Sequence, residues 1–333
     1  MHPQSAGIEA IREKQAAMVR AAGDYLTSLT PSERDQTLHP YASEFRTRWN
    51  ALPLGCGERL GTPWPNLTPD QQASALNFLA TGLSQRGLET VRTIVEIERI
   101  HHPEHGTKSY SISIYGEPTV AGPWAWRFEG HHLSLNFSSI PNVGVGATPA
   151  FWGASPTCVR FNLGTPIPVG THVLVCEDEL ARTIYSSLSS QDHALAEIPL
   201  PEMELRTAQT RYARPNTFRG VPVISLGAEK QVLIQNLVST FAENFCPELS
   251  SGLIFSLLPS RADDLFFGCA KGADGNARRS ARPDGFYFRI EGPEFFLEYD
   301  DVQFGIQGTG HVHALLRHFK NDFGGDTRYA PAP

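Results

Sequence analysis

The sequence predicts an α+β protein, with N-terminal helices joined to a mostly antiparallel or mixed β-sheet core with interspersed helices. Three observations predict it. Apolar residues recur at helical spacing through the first hundred positions, and strict alternation replaces that spacing from Ser109 onward. Helical and strand blocks also segregate along the chain instead of alternating, which argues against a doubly wound sheet.

Ile8 to Leu29 reads as an amphipathic helix. Thr30-Pro31-Ser32-Glu33 and Thr68-Pro69-Asp70-Gln71 each place a capping hydroxyl before a proline at the first helical position. The second begins one long segment whose apolar stripe is Leu76, Phe78, Leu79, Leu83, Val91, Ile94 and Ile97. Between them the Gly/Pro-rich stretch Leu52 to Pro65 predicts an ordered loop or hinge. Tyr110 to Tyr115 alternates as a strand, residues 116–123 form a turn, and Trp124 to Phe137 reads as a second strand. Further on, a strand at Gly170 to Val175 leads into a helix at Glu177 to Ala196, Lys230 to Phe245 is helical, and Phe286 to Phe319 reads as strands joined by Gly-rich turns. The expected division is a helical region, 1–105, packed on an α+β core, 106–333, as one integrated domain.

With 333 residues and 41% hydrophobic content, the chain can bury a sizeable core. Its net charge of -7 and lack of a basic patch argue against nucleic acid as a partner. The amino terminus lacks a secretory pattern and no apolar run reaches membrane length, so neither a membrane partner nor an exported location is expected and the chain reads as cytoplasmic. Five scattered cysteines without a CxxC pair fit reduced, buried thiols. Gly144 and Gly146 do not open a helix, which argues against a dinucleotide fingerprint.

Polar chemistry concentrates in two histidine-rich segments. In the first, Arg127 and Glu129 share one strand parity, but beyond Gly130 the polar residues His132, Ser134 and Asn136 fall on the other. A bulge at Gly130 would restore one polar face bearing all five and leave His131 at the kink. In the second, His311 and His313 project from one face of an extended chain roughly 7 Å apart, as a strand presents two imidazoles to one metal. Phe296, Glu298 and Asp300 share a parity and bring two carboxylates toward that space. The same histidines also fit a structural network hydrogen-bonded to carboxylates, and Asp300, Asp301 and Asp322 also fit turn or cap roles. If the segments meet, three or four imidazoles would suit zinc, iron, manganese or copper. Neither a helical HExxH pair nor a G-x-S-x-G elbow is present.

At these residues the chain resembles the domain of unknown function 3500 family. The likeness is carried by Tyr115-Gly116-Glu117-Pro118, by the Trp-x-Trp-x-x-Glu-Gly-His-His run from Trp124 to Asn136, and by Pro149, Phe151, Gly153 and Pro156. Tyr287-Phe288-Arg289-Ile290, Leu297-Glu298-Tyr299-Asp300, His311-Val312-His313 and Asn321-Asp322-Phe323-Gly324 look like its closing signature. Departures fall at Ser138 to Asn142 and at His318. The resemblance implies that both clusters belong to one architecture and share a site.

The leading expectation is a metal-dependent enzyme, a hydrolase more than an oxidoreductase or oxygenase, acting on a small polar or anionic molecule. His132, His311 and His313 are the expected ligands, with His131 as a fourth. Glu129 or Glu298 would serve as general base or as orienter of a ligand, and Arg127, Arg289 and Arg317 would clamp a carboxylate or phosphate. A metal-free binding module and acid/base catalysis by a His-Glu pair are the other readings. The sequence carries no signature of oligomeric state.

Overall fold

Hydroxyl caps start the N-terminal helices where the sequence places them. In the computed structural model, which describes residues 3–53, 55–101, 106–162, 164, 166–201, 205, 210–213, 218–258, 264–272 and 281–325, helix α1 spans Pro3–Ser28. Helix α2 (Pro31–Thr37), followed by the short strand β1 (Leu38–His39), and helix α3 (Pro69–Gly82) begin in capping boxes. Thr30 pairs reciprocally with Glu33, and Thr68 with Gln71. The long stripe expected after Thr68 is two helices, because the chain breaks between α3 and α4 (Gln85–His101). There Leu83 bridges to Phe245 and the Ser84 amide donates to the carbonyl of Asn244 at 3.1 Å, so tertiary partners replace two helical hydrogen bonds.

The strands follow as β2 (Ser111–Tyr115), β3 (Trp124–Gly130), β4 (Leu133–Ile140), β5 (Gly144–Gly146) and β6 (Ala150–Ala154). Next come α5 (Val175–Ser187), α6 (Ser190–Ala196), β7 (Val221–Pro222), α7 (Ala228–Ala242) and α8 (Pro247–Leu257). Then follow β8 (Phe266–Lys271), β9 (Phe286–Glu291), β10 (Phe295–Phe304) and β11 (Gly310–His318). One mixed sheet of 11 strands results, in the order β1-β2-β3-β4-β6-β11-β10-β9-β8-β7, with β5 beside β4. Among the described residues only β1 runs parallel to its neighbour, so the α+β class with a mostly antiparallel sheet holds.

Several local expectations are corrected. Trp124 to Phe137 is a hairpin, not one bulged strand: β3 and β4 pair from Trp124↔Ser139 to Gly130↔Leu133, with His131 and His132 as the turn. Gly130 is there for another reason. A Cβ at that position would lie 2.3 Å from Cδ1 of the Tyr110 ring, and the Tyr110 hydroxyl donates to the His131 carbonyl at 2.6 Å. Gly170 to Val175 is not a strand; Cys158 and His172 form only an isolated bridge. The helix expected over Glu177 to Ala196 splits where Ser189 and Asp192 make a fresh capping box, and that expected to Phe245 stops at Ala242. All five cysteines are free, but Cys56 and Cys176 are exposed, while Cys246 and Cys269 are buried.

The sheet has two unlike faces. Trp124, Trp126, Phe128, Leu135 and Phe137 meet α1, α3 and α4 in the main apolar core. Phe78 of α3 lies between both tryptophans, 4.3 Å from Trp126 by ring centroid, a contact worth about 0.5–1.5 kcal/mol beyond burial. On the opposite face Arg127 stands across from Asn136 and Glu129 across from Ser134. This polar face continues over His313, Asp300 and Tyr287 in one row and Leu315, Glu298 and Arg289 in the next. Trp49, Phe151, Leu205, Leu315 and Phe323 form a small apolar patch over it, and the Trp49 indole donates to the Thr210 carbonyl at 3.2 Å. Among the described residues no helix is long and apolar enough to cross a membrane.

Candidate metal centre

The β3–β4 turn and the start of β11 bring the two histidine segments together. His132 occupies the left-handed region, with φ of 66°, a conformation uncommon for a residue with a side chain. Its amide donates to the Ala51 carbonyl at 3.0 Å, which ties the turn to the segment below it. The ring then meets the HxH pair: Nε2 of His132 is 2.9 Å from Nε2 of His311, and the His311 and His313 ring centroids are 4.4 Å apart. One ligand nitrogen from each of His132, His311 and His313 lies within 4.8 Å of the others, so these three side chains could hold one metal ion.

Glu98, from the last turn of α4, completes the cluster and was not among the sequence candidates. Its carboxylate accepts from Nδ1 of His132 at 2.6 Å and from Nδ1 of His131 at 2.7 Å, and the two rings stack with centroids 3.8 Å apart. Burial pushes the Glu98 carboxyl up, but the hydrogen bonds from His131 and His132 outweigh it and hold the group well below the usual carboxylate range. Burial pulls His132 down to about 3, against the opposing Glu98 bond and helped by His131 and His313. The ionised carboxylate fixes His132 with its proton on Nδ1 and a lone pair on Nε2. That lone pair points at the HxH histidines.

Glu98, His131 and His132 also fall within 4.8 Å as a possible ligand group. The spacing differs between the two groups. Two atoms sharing a tetrahedral zinc stand about 3.3 Å apart. Contacts of 2.6 and 2.7 Å between Glu98 and the imidazoles are those of a shared proton, so Glu98 holds the rings of His131 and His132 by hydrogen bonds. At His132 and His311 the separation of 2.9 Å needs only a few tenths of an ångström to admit an ion. Gly153, paired with His313, makes room: a Cβ there would lie 2.9 Å from His313 Cδ2 and 3.1 Å from His132 Cδ2.

The remaining candidates lie on the same polar face in separate networks. Arg127 is wholly buried and gives every donor away: to Asn136, to the carbonyls of Phe45, Arg46 and Arg48, and to Glu129 at 3.2 Å. Glu129 also accepts from the Asn50 amide. Arg317 donates to Asp322 at 2.6 Å and to the carbonyls of Thr210 and Arg211. Arg289 pairs with Glu291 at 3.1 Å, and its Nε is buried without a hydrogen-bond partner among the described residues. Glu298 is buried and accepts from the Tyr287 hydroxyl at 2.5 Å, while Asp300 stands directly across the ladder from His313. Asp301 pairs with Arg282 at 2.9 Å in the bulge between Asp300 and Gln303.

No curated protein and no solved structure matches the chain. A family model, described as a protein of unknown function (DUF3500), matches residues 12–325 and so covers the turn and the strand that carry the histidines as well as the helix that carries Glu98. The chain therefore belongs to the DUF3500 family.

Proposed function

We propose that the chain is a metal-dependent hydrolase acting on a small polar or anionic molecule, with His132, His311 and His313 as ligands. The observation that carries this reading is the double use of one imidazole: His132 gives Nδ1–H to an ionised carboxylate and turns Nε2 toward two further histidines. Such carboxylate–histidine pairs orient metal ligands and raise their basicity. Three protein ligands, not four, suit a catalytic ion that keeps a position for water or substrate. A bound divalent cation would supply Lewis acidity and make water a nucleophile near neutral pH.

This chain's own residues would do the rest. Glu298 stands diagonal to His313 across the β10–β11 ladder and is the candidate general base, with Tyr287 holding its carboxylate. Arg289 is the candidate anion anchor, because Arg127 has no donor left and Arg317 is committed to Asp322 and two carbonyls. By strand spacing its backbone lies roughly 12 Å from that of His313, within reach of a small substrate through the two side chains.

The test is elemental analysis of protein purified without a histidine tag, followed by turnover of ester, amide and phosphoester panels. Stoichiometric metal lost in both His311→Ala and His313→Ala, with hydrolysis abolished by chelator and restored by the ion, is the expected result. A metal-free, equally stable protein would overturn it, and chelator-resistant turnover would replace it with acid/base catalysis by the His-Glu cluster. Redox turnover without hydrolysis would move the metal centre to oxidoreductase chemistry.

A further inference from the structure

On the helical side of the sheet, away from the histidine cluster, a cavity of about 210 Å³ opens between α1, β5, α8 and the turn after β11. Ile11, Val143, Leu249 and Leu253 give it an apolar lining, and His318 and Asn321 contribute polar groups. His318 ends β11 and has the opposite strand parity to His313, which is why it faces this cavity and not the candidate metal centre. It departs from the family pattern in the sequence, and the candidate site makes no use of it.

His318 is only 4% exposed, and its Nδ1 is buried with no hydrogen-bond partner among the described residues. Asn321 donates through Nδ2 to Nε2 of His318 at 3.3 Å. A ring that accepts at Nε2 carries its proton on Nδ1 when neutral. Burial keeps the ring neutral by pulling its pKa down against the nearby carboxylates of Asp322 and Glu294. The orphan atom is therefore a donor, and an unpaired buried donor in a lined cavity asks for an acceptor oxygen.

Charge and size narrow the class. Glu248 lines the cavity as an ionised carboxylate paired with Lys14 at 3.2 Å, and it disfavours an anion. An apolar cavity of about 150 Å³ holds the six carbons of benzene, so this one has room for roughly eight or nine non-hydrogen atoms. We propose that the cavity binds a neutral, mostly apolar small molecule through a carbonyl oxygen that accepts from Nδ1 of His318, with its apolar body against Ile11, Leu249 and Leu253. The site is independent of the metal centre.

Acetophenone is the probe, ethylbenzene its counterpart without the carbonyl and benzoate its anionic counterpart, each titrated into the full chain by ligand-observed NMR. Acetophenone should bind at least about 10-fold tighter than ethylbenzene or benzoate. His318→Leu should erase that preference while ethylbenzene binding holds within about two-fold. Gly252→Leu should abolish both, since a Cβ at Gly252, which lines the cavity, meets nothing within 4 Å and the added side chain can fill the space without a clash. No saturable binding to the wild type, equal binding of acetophenone and ethylbenzene, or acetophenone binding unchanged in His318→Leu or Gly252→Leu would each overturn the proposal.

Discussion

Glu98 accepts from Nδ1 of His132 at 2.6 Å, so a helix on the apolar side of the sheet sets the proton position of a histidine in the turn between two strands. Replacing it by glutamine keeps the shape but removes the charge, and one of the two imidazole N–H groups it serves loses a good acceptor. Metal affinity of Glu98→Gln, measured by competition with a chromophoric chelator, should fall by about 10–100-fold. Affinity equal to wild type would show that Glu98 plays no part in orienting the ligands.

Gly153 tests the space between the histidines. Alanine there places its Cβ 2.8 Å from the Val312 carbonyl oxygen, 2.9 Å from the His313 ring and 3.1 Å from the His132 ring. Both the backbone and the two rings must move. Chemical denaturation of Gly153→Ala should show a loss of about 1–3 kcal/mol, and metal binding should weaken with it. Unchanged stability and affinity would mean that the rings have slack, contrary to a site shaped to one ion.

The histidines were legible in the sequence because HxH on a strand fixes both rings to one face, whatever the strand pairs with. The polar parity of Arg127, Glu129, Ser134 and Asn136 was legible too, yet for a different reason than expected. A bulge and a two-residue turn both shift parity, and the Gly130 that suggested the bulge is required by Tyr110, which is distant in sequence. Glu98 has a signal in the sequence: it lies four residues after Ile94 and seven after Val91, a carboxylate on an otherwise apolar helical stripe. A charge in that position must find a buried partner. The break after α3 was not legible, since the groups that replace its helical hydrogen bonds, the Asn244 carbonyl and the Cys246 amide, lie more than a hundred residues onward.

Arg127 separates a structural guanidinium from a substrate clamp. Its carbonyl partners at Phe45, Arg46 and Arg48 hold the segment before Trp49 against the polar face, and Glu129 is its buried counterion. Arg127→Met should destabilise the fold by about 3–5 kcal/mol in urea melts, since it leaves Glu129 charged and unpaired. Arg127→Met with Glu129→Leu should recover part of the loss. Metal stoichiometry of the folded fraction should stay at the wild-type value, and a selective loss of substrate affinity with intact stability would restore Arg127 as a clamp.

Acid should destabilise the metal-free protein before its carboxylates titrate. An unfolded histidine takes up a proton near pH 6.5, whereas His132 in the folded chain resists protonation down to about 3 because it is buried. Between those values the unfolded state binds the extra proton, so stability falls as pH drops, by at most about 1.4 kcal/mol per pH unit from this group. His318, also depressed by burial, adds the same sign. Glu98 joins only lower, because its stabilisation is present above the usual carboxylate value near 4.3 and is lost as pH falls toward its folded value. Urea melts in chelator between about pH 7 and 5 should therefore show falling stability, and His132→Asn, which tolerates the left-handed turn, should show a shallower slope. A flat or rising profile for the wild type would mean that His132 is protonated in the fold, and a cationic imidazole has no lone pair to offer a metal.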